Sequence, residues 1–452
     1  MPTTHSLLRA ASNVLTRSLD LRSNQHLLII ADLVALPVVD VLTEVAFTKD
    51  IEITALYIPR ILQHSFHIDA FLPDSLLQTL QDADAILSCL DAHIDATAFR
   101  LKLLEYAVDV RRKVVHAPGL TIESLQLADT DYDEVNQRCM MLARAFLIGR
   151  NVEIVTQDCS GNEHKLTVQS EQWDIPPGIT NGIINAGGWA NFLPGETFIL
   201  PKNGQGEIVI NGSLPGRVLA PGEELLLRFI DGHCVDIAST DDSLLAYFEA
   251  TQVQFADAQN DTAWRTFAEL GFGVNAKQRT LTGIPLIDEK IAGTLHVALG
   301  RNDYLGGPVY SVIHCDLVAT GATVRVDGHT ILEGGRWAVH EADWLMDYRV
   351  VQPPEQWWQQ VATVRQSGTR SEERGHALFR ICGNGRGRTA WIAVGNDETA
   401  QLARRLYELL PKRETVPKTK LVEEAAAVGL PSESVAQLLW LMSHYDLVRF
   451  EP

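Results

Sequence analysis

Cysteine is scarce and dispersed in this chain of 452 residues. The six cysteines, at positions 89, 139, 159, 234, 315 and 382, include no Cys-x-x-Cys pair. This spacing excludes a compact disulfide framework and a cysteine-based zinc cluster. It also favours a reducing compartment, so we expect a cytoplasmic protein.

Basic side chains are the second deficit. The chain carries 38 Lys and Arg against 57 Asp and Glu, which gives a formal net charge of −19. Nucleic-acid binding requires clustered Lys and Arg that displace the counterions of the phosphates. The sequence contains no such basic stripe, and we therefore expect no nucleic-acid partner.

Long uninterrupted hydrophobic runs are also missing. The longest apolar run, 27–42, is broken by Asp32, Pro37 and Asp40 and is too interrupted to span a bilayer. The N-terminus has no continuous signal-peptide core. Apolar residues between 7 and 19 recur instead at helical spacing, which favours a docked amphipathic helix over a transit peptide. We expect no association with membranes.

The remaining composition is that of a globular protein with more than one domain. Hydrophobic residues make up 46% and charged residues 21% of the chain, close to the globular average. In the first third, short apolar runs alternate with helical patterns, which is typical of an open, mainly parallel sheet. Strands are predicted at 27–31, 51–58, 85–88 and 113–116, and helices at 39–47, 76–83, 96–107 and 129–150.

The middle of the chain has a different pattern. Short alternating runs separated by Asn-Gly and Pro-Gly turns indicate antiparallel strands. The predicted fold is therefore an α/β N-terminal domain with a mainly parallel sheet, a β-rich (α+β) metal-binding domain and a small helical C-terminal appendage. The predicted boundaries are 1–150, 151–335, a connecting segment 336–398, and 399–452, where the appendage resembles a winged helix.

Asp32 follows the first predicted strand, at the edge where open α/β sheets place ligands. No Gly-x-Gly-x-x-Gly follows that strand, so the sequence does not support a dinucleotide site. An aspartate in this position more commonly caps a helix or turn. We interpret Asp32 as a capping residue.

The residues with the clearest chemistry lie between 185 and 316. His314 and Asp316 are two apart in an apolar run, so on a strand both side chains face the same way. His296 lies in a second strand-like run that ends in glycine, and Glu196 and Glu269 lie in Gly-rich, partly apolar surroundings. Two Glu, two His and one Asp are sufficient to hold two divalent cations that share a carboxylate.

Four segments, in the same order, resemble the thermophilic-type metallo-aminopeptidases (the aminopeptidase T-like superfamily). Residues 191–198 (NFLPGETF) are similar to the family segment N-x-P-x-G-E-x-F, and residues 269–277 (ELGFGVNAK) to E-x-G-x-G-x-N-P-K. Residues 288–300 (DEKIAGTLHVALG) are similar to D-E-K-x-x-G-T-x-H-x-A-x-G, and residues 314–316 (HCD) to the final H-x-D. The resemblance covers most of 25–335 and leaves the tail outside it.

The resemblance implies a metal-dependent hydrolase that cleaves an amide or peptide bond next to a free amine of a peptide or small amine-bearing substrate. It implies two divalent cations (Zn, Co or Mn) and a homodimer. Glu269 would bridge the two cations, and Tyr304 matches the family tyrosine that stabilises the oxyanion. The implied metal ligands are Glu196, Glu269, His296, His314 and Asp316.

The chain departs from the family pattern at three points. Pro194 stands one place later than the family's proline, and Ala276 replaces a proline. Only 17 residues separate His296 from His314, fewer than is usual in the family. The displaced proline predicts a redirected backbone before Glu196, and the short spacing between the histidines predicts a different substrate pocket there.

Other activities on the same scaffold stay open. The superfamily includes a dihydroxypyridine ring-cleaving dioxygenase with a single Fe(II) and a nitroanthranilate aminohydrolase, so an Fe(II) dioxygenase or an aromatic amidohydrolase is an alternative. A non-catalytic peptide-binding protein is a third possibility. A mononuclear site needs no bridging carboxylate, so the presence of Glu269 favours the two-metal hydrolase.

Overall fold

The fold is described from a computed structural model. It describes residues 4–65, 74–92, 96–109, 112–148, 151–169, 177–184, 189–338, 358–359, 361–366, 369–373, 376–382, 389–394, 402, 405–406, 408–410, 415–444 and 448–451. Much of the predicted connecting segment, including 339–357, lies outside these residues. No helix in this described part of the chain is long and apolar enough to cross a bilayer.

The helices and strands are numbered along the chain. The helices are α1 Thr4–Asn13, α2 Leu36–Phe47, α3 Arg60–Ser65, α4 Asp74–Asp82, α5 Thr97–Asp109, α6 Ile122–Leu125, α7 Tyr132–Ile148, α8 Asp242–Phe248, α9 Gln254–Ala258, α10 Pro285–Asp288, α11 Lys418–Ala427 and α12 Ser432–His444. The first strands are β1 His26–Ala31, β2 Glu52–Tyr57, β3 Ala85–Cys89, β4 Lys113–His116, β5 Asn151–Gln157, β6 Glu163–Gln169, β7 Gly178–Thr180, β8 Trp189–Asn191 and β9 Glu196–Ile199.

The later strands belong to antiparallel sheets. They are β10 Gln205–Ile210, β11 Ser213–Leu214, β12 Arg217–Val218, β13 Leu225–Ile230, β14 His233–Ala238, β15 Phe267–Gly273, β16 Leu295–Gly300, β17 His314–Ala319, β18 Thr323–Val326, β19 His329–Glu333, β20 Arg336–Trp337, β21 Thr363–Gln366, β22 Thr369–Glu373, β23 His376–Cys382, β24 Thr389–Val394, β25 Thr415–Pro417 and β26 Val448–Glu451.

The N-terminal region is built on a five-stranded parallel sheet in the order β2-β1-β3-β4-β8. Side chains of β1 alternate between its two faces, as strand geometry requires. Leu27 and Ile29 join one apolar core and Leu28 and Ile30 another. Both faces are therefore covered, which explains why β1 reads as a continuous apolar run. The predicted α/β fold with a parallel sheet is confirmed.

The N-terminal helix docks on this sheet. Helix α1 continues through a π-helical turn, Val14–Ser18, and the side chains of Leu15 and Leu19 are fully buried against α2 and β1. Burying a leucine contributes about 1.5–3 kcal/mol, so two of them are enough to hold a short helix in place. In this structure the amphipathic segment is a docked helix.

The middle region consists of two antiparallel sheets. One has eight strands in the order β14-β13-β10-β6-β5-β18-β19-β20, and the other has seven in the order β12-β11-β17-β16-β15-β9-β7. A single apolar core joins them and also includes side chains of α7. The predicted β-rich region is confirmed.

One strand of the parallel sheet comes from beyond residue 150. Strand β8 lies next to β4, with Trp189 opposite Val114, and its sequence position falls among the antiparallel strands. The chain therefore returns to the first sheet between β7 and β9. The boundary at residue 150 stays a prediction.

The C-terminal region combines two helices with short strands. Helices α11 and α12 pack with the sheet β25-β21-β26 around a small apolar core that also includes Met140 of α7. Strands β22, β23 and β24 form a separate antiparallel sheet. The likeness to a winged helix and the boundary at residue 399 stay predictions.

Candidate metal centre

Four neighbouring strands of the seven-stranded sheet carry the five predicted ligands. Glu196 begins β9, Glu269 lies in β15, His296 lies in β16, and His314 and Asp316 lie in β17. These strands are adjacent, in the order β17-β16-β15-β9. Pairing therefore brings together side chains that are up to 120 positions apart in the sequence.

The register of the sheet makes the five side chains converge. Glu269 and Asp316 both lie opposite Ala298, one from each side. A shift in register between Phe267 and Glu269 marks a β-bulge, a feature that redirects a side chain next to functional sites. The small Ala298 side chain leaves room between the two carboxylates.

Two glycines make room for the site. Gly271 lies opposite His296, and a Cβ on Gly271 would be 2.0 Å from Cε1 of the imidazole. Gly273 lies opposite Glu196, and a Cβ there would be 2.1 Å from the carbonyl oxygen of Ile291. The Gly-x-Gly pattern of this strand is thus explained by the close approach of a ring and of a backbone segment.

The two imidazoles face the carboxylates at ion-pair distance. Nε2 of His296 is 3.1 Å from Oε1 of Glu196 and 3.4 Å from Oε1 of Glu269. Nε2 of His314 is 3.5 Å from Oε2 of Glu269 and 3.1 Å from Oδ1 of Asp316. The two oxygens of Glu269 therefore face different histidines.

His314 is held by its other nitrogen. Nδ1 donates a hydrogen bond to the carbonyl oxygen of Arg301 at 2.6 Å. Since a carbonyl only accepts, Nδ1 carries a proton, and in the neutral ring Nε2 presents its lone pair to the carboxylates. The ring of Tyr304 packs edge-on against His314, with centroids 5.4 Å apart. The oxyanion role of Tyr304 stays a prediction.

Sequence reasoning missed one carboxylate and one ammonium at this site. Glu289 is buried and groups with His296 and Asp316, its ligand atom within 4.8 Å of theirs. Nζ of Lys290 contacts both Glu196 and Glu289. The available sequence signal was the triplet Asp288-Glu289-Lys290 at the start of the run 288–300. We call Glu196, Glu269, Glu289, His296, His314 and Asp316 the carboxylate–histidine cluster.

The preceding aspartate has a structural role. The Asp288 carboxylate accepts hydrogen bonds from Ser213 Oγ at 2.7 Å, Thr282 N at 2.7 Å and Gly283 N at 2.8 Å. These contacts fix the short helix α10. The two residues that follow, Glu289 and Lys290, are thereby placed at the carboxylate–histidine cluster.

The carboxylate–histidine cluster contains three sets of residues that can hold a cation. They are Glu196, Glu269 and His296; Glu269, His314 and Asp316; and Glu289, His296 and Asp316. Within each set the ligand atoms lie within 4.8 Å of one another. Carboxylate oxygens with imidazole nitrogen suit Zn²⁺, Mn²⁺, Fe²⁺ or Co²⁺. The cluster can therefore hold metal.

Burial and mutual repulsion perturb the carboxylates strongly. Burial raises the pKa of Glu289 to about 8, against the opposing effect of Lys290, and it also raises the pKa of Glu269. Burial likewise raises the pKa of Asp316, but the His314 ring outweighs it and the net shift is downward. Burial also lowers the pKa of His314, but the Asp316 carboxylate outweighs it, and the pKa of His314 rises to about 9.

The form of the site that would bind a cation carries a net negative charge. In that form every carboxylate is ionised and both imidazoles are neutral, so four carboxylates and the Lys290 ammonium give a charge of −4 + 1 = −3. Oδ1 of Asp316 and Nδ1 of His296 are buried without a hydrogen-bond partner; Asp316 Oδ1 is within ion-pair distance of His314 Nε2 but is not aligned for a hydrogen bond. Buried charge of one sign is costly, and a divalent cation would relieve it.

No model of a known protein family matches the chain, and no curated protein sequence matches it. Solved structures that are similar to it include two enzymes. One is 2,5-dihydroxypyridine dioxygenase from Pseudomonas putida KT2440, with 13% identity, a TM-score of 0.58, and coverage of 75% of this chain and 98% of that chain. The other is wild-type AmpT from Thermus thermophilus, with 17% identity, a TM-score of 0.49, and coverage of 74% and 99%. At such identities the first match shows a shared fold.

Proposed function

We propose that the chain is a metal-dependent hydrolase with two adjacent divalent-cation positions, which cleaves an amide bond next to a free amine. The observation that supports this most is the placement of Glu269. Its two oxygens lie 3.4 Å from Nε2 of His296 and 3.5 Å from Nε2 of His314. A carboxylate shared by two donor sets is what a two-metal site requires.

Each position has its own ligands. Glu196 and His296 would hold one cation, and His314 and Asp316 the other, with Glu269 between them. When bound, such a pair polarises a carbonyl and lowers the pKa of water toward neutrality. This division uses the five residues that the family resemblance implies.

The protein groups around the cations would orient and protect the substrate. Glu196, Glu269 and His296 are buried, so the ligands are shielded from bulk water. Tyr304 lies in a 3₁₀ turn, Asp303–Leu305, against the partly exposed His314. From there its phenol would donate a hydrogen bond to the oxygen that gains charge during cleavage.

A second candidate is an Fe(II) ring-cleaving dioxygenase, because the similar fold with a TM-score of 0.58 is named as a dioxygenase. Non-haem Fe(II) oxygenases use two histidines and one carboxylate around one metal. In the described part of the chain, each of the three donor sets contains one histidine and two carboxylates. The arrangement therefore favours the two-metal hydrolase.

Metal titration of the purified chain distinguishes these functions. The protein is stripped with a chelator, titrated with Zn²⁺, Co²⁺, Mn²⁺ or Fe²⁺, and assayed with aminoacyl anilides and with dihydroxypyridines. Two equivalents of cation with release of the aniline support the hydrolase. One equivalent of iron with oxygen consumption supports the dioxygenase, and no binding supports a non-catalytic peptide-binding protein.

We further propose a cytoplasmic homodimer that acts on peptides or small amines without nucleic acid or membrane partners. Light scattering of the purified chain tests the dimer. A monomer at micromolar concentration would contradict it.

A further inference from the structure

Lys290 is buried inside the carboxylate–histidine cluster. Its side chain is only 1% exposed, and Nζ contacts Oε2 of Glu196 at 2.5 Å as well as Oε1 of Glu289. Lysine is rarely buried to this extent unless its charge is paired. An ammonium among residues suited to hold cations therefore needs an explanation.

Lys290 makes the two oxygens of Glu196 different. Oε2 accepts a hydrogen bond from the Lys290 ammonium and another from Thr180 Oγ1 at 3.2 Å. Oε1 instead faces Nε2 of His296 at 3.1 Å. Only Oε1 is directed toward the imidazole with which Glu196 would share a cation.

The backbone holds Lys290 in this position from both sides. Its carbonyl oxygen accepts a hydrogen bond from the amide of Asn275 at 2.9 Å, and its own amide donates to the carbonyl of Ile287 at 3.2 Å. Asp288, the residue after Ile287 and the last residue of α10, is itself anchored by a hydrogen bond from Ser213. The ammonium is thus delivered by a rigid segment.

We propose that Lys290 is a positioning residue that keeps Glu196 a single-oxygen ligand, so that the cation beside His296 retains an open coordination position. The proposal rests on the proposed two-metal function. Because Oε2 is already hydrogen-bonded twice, Glu196 cannot rotate to chelate a cation without giving up both contacts. A catalytic metal site needs such an open position for water or substrate, and partners that orient a ligand in this way typically change affinity or activity by about 10–100-fold.

The first test uses the wild-type protein loaded with Zn²⁺ and a crystal structure of that form. The expected result is Glu196 bound through one oxygen, with Oε2 still bonded to Lys290. Glu196 chelating a cation through both oxygens would overturn the proposal and leave the two-metal function intact. Absence of any bound cation would contradict both.

The second test compares two lysine variants in the Co²⁺-loaded protein. In Lys290→Met, Glu196 is free to bind through both oxygens, so we expect two equivalents of Co²⁺ but a weaker visible absorption, because absorption falls as coordination number rises. Lys277→Met is the matched control: Lys277 pairs with Asp129 at 3.1 Å, outside the cluster. Its spectrum should equal that of the wild type. An unchanged spectrum in folded Lys290→Met would refute the positioning role.

Discussion

Buried carboxylates are neutralised differently at the parallel sheet and at the seven-stranded antiparallel sheet. At the carboxyl edge of the parallel sheet, Arg60 lies 2.9 Å from Asp32 and 3.6 Å from Asp91. Asp32 also accepts hydrogen bonds from the amides of Val34 and Ala35 and so caps a 3₁₀ turn. At the seven-stranded antiparallel sheet, the carboxylate–histidine cluster instead places four carboxylates beside one ammonium and two imidazoles.

This difference separates a structural carboxylate from a candidate ligand. Asp32 lies where open α/β sheets place ligands, yet its oxygens are occupied by a guanidinium and by backbone amides. Glu269 and Asp316 face imidazoles and other carboxylates. We infer that an unmatched charge, more than a favourable place in the fold, indicates where a cation binds.

The largest effect is expected from Glu269→Gln. This variant keeps the shape of the side chain but removes the charge that would lie between two cations, which repel each other strongly at about 3.5–4 Å. One cation should be lost, and hydrolysis of aminoacyl anilides should fall by about 10³-fold or more. Metal analysis together with steady-state kinetics measures both changes.

Asp32→Asn is the matched control for that variant, because it makes the same carboxylate-to-amide change at the other sheet. The amide oxygen still accepts the capping hydrogen bonds, so metal content and activity should equal those of the wild type. A stability loss of about 1 kcal/mol is expected. Two cations and full activity in Glu269→Gln would remove the distinction between the sheets.

A smaller effect is expected on metal affinity in His314→Ala. Removing a residue that only orients a ligand costs about 10–100-fold in affinity, so removing a ligand should cost more than about 100-fold. Asp316→Ala should behave in the same way. Calorimetric titration with Zn²⁺ measures the change.

The control is His164→Ala in the eight-stranded sheet. His164 also lies between two carboxylates, but through opposite nitrogens: Nδ1 is 2.9 Å from Glu207 and Nε2 is 3.3 Å from Asp158. Its loss should not affect Zn²⁺ binding. Wild-type affinity in both His314→Ala and Asp316→Ala would show that the ligand assignment is wrong.

Local pattern was sufficient to predict four of the five strands of the parallel sheet and the role of Asp32. The run 27–31 is apolar because both faces of β1 are covered. The capping role of Asp32 depends only on backbone amides within the next three residues. Strand β8 was not predicted, because the pairing of Trp189 with Val114 is set by a chain return with no local signal.

The site was predictable only in part for the same reason. The five implied ligands came from the family resemblance, and sheet pairing then brings them together. Glu289 and Lys290 lie in the segment 288–300 that carries the resemblance, but their place at the site became visible only in three dimensions. Whether an acid is buried, and which base neutralises it, depends on packing between segments that are far apart in sequence.

Metal removal should destabilise the antiparallel region selectively. Cation bound only to the folded state adds about 2.7 kcal/mol to the free energy of unfolding at 100 times the dissociation constant. A chelator should therefore lower the unfolding temperature and speed amide exchange in β9 and β15–β17. The exchange of β1 and β3 should stay the same. Equal changes in both sheets would contradict a localised site.

The smallest effect concerns acid stability of the parallel sheet. Burial lowers the pKa of His116 to about 4, and the nearby Arg100 adds to the shift. The folded state therefore takes up this proton only near pH 4, whereas an unfolded histidine does so near pH 6.5. The contribution of His116 to stability should be constant above about pH 6.5 and fall by about 2–3 kcal/mol between about pH 6.5 and 4.

His116→Gln should flatten that part of the profile, as measured by denaturant unfolding across the pH range. The pKa shift of His116 is opposite in direction to that of His314, whose pKa is raised. If the free energy of unfolding of His116→Gln falls with decreasing pH as steeply as that of the wild type, His116 does not cause the acid sensitivity.

Anomalous diffraction from crystals of the Zn²⁺-loaded protein tests the central claim most directly. The account predicts two anomalous peaks, one between Glu196 and His296 and one between His314 and Asp316, with one oxygen of Glu269 on each. A single peak ligated by His296, His314 and Asp316, or no peak at the carboxylate–histidine cluster, would contradict it.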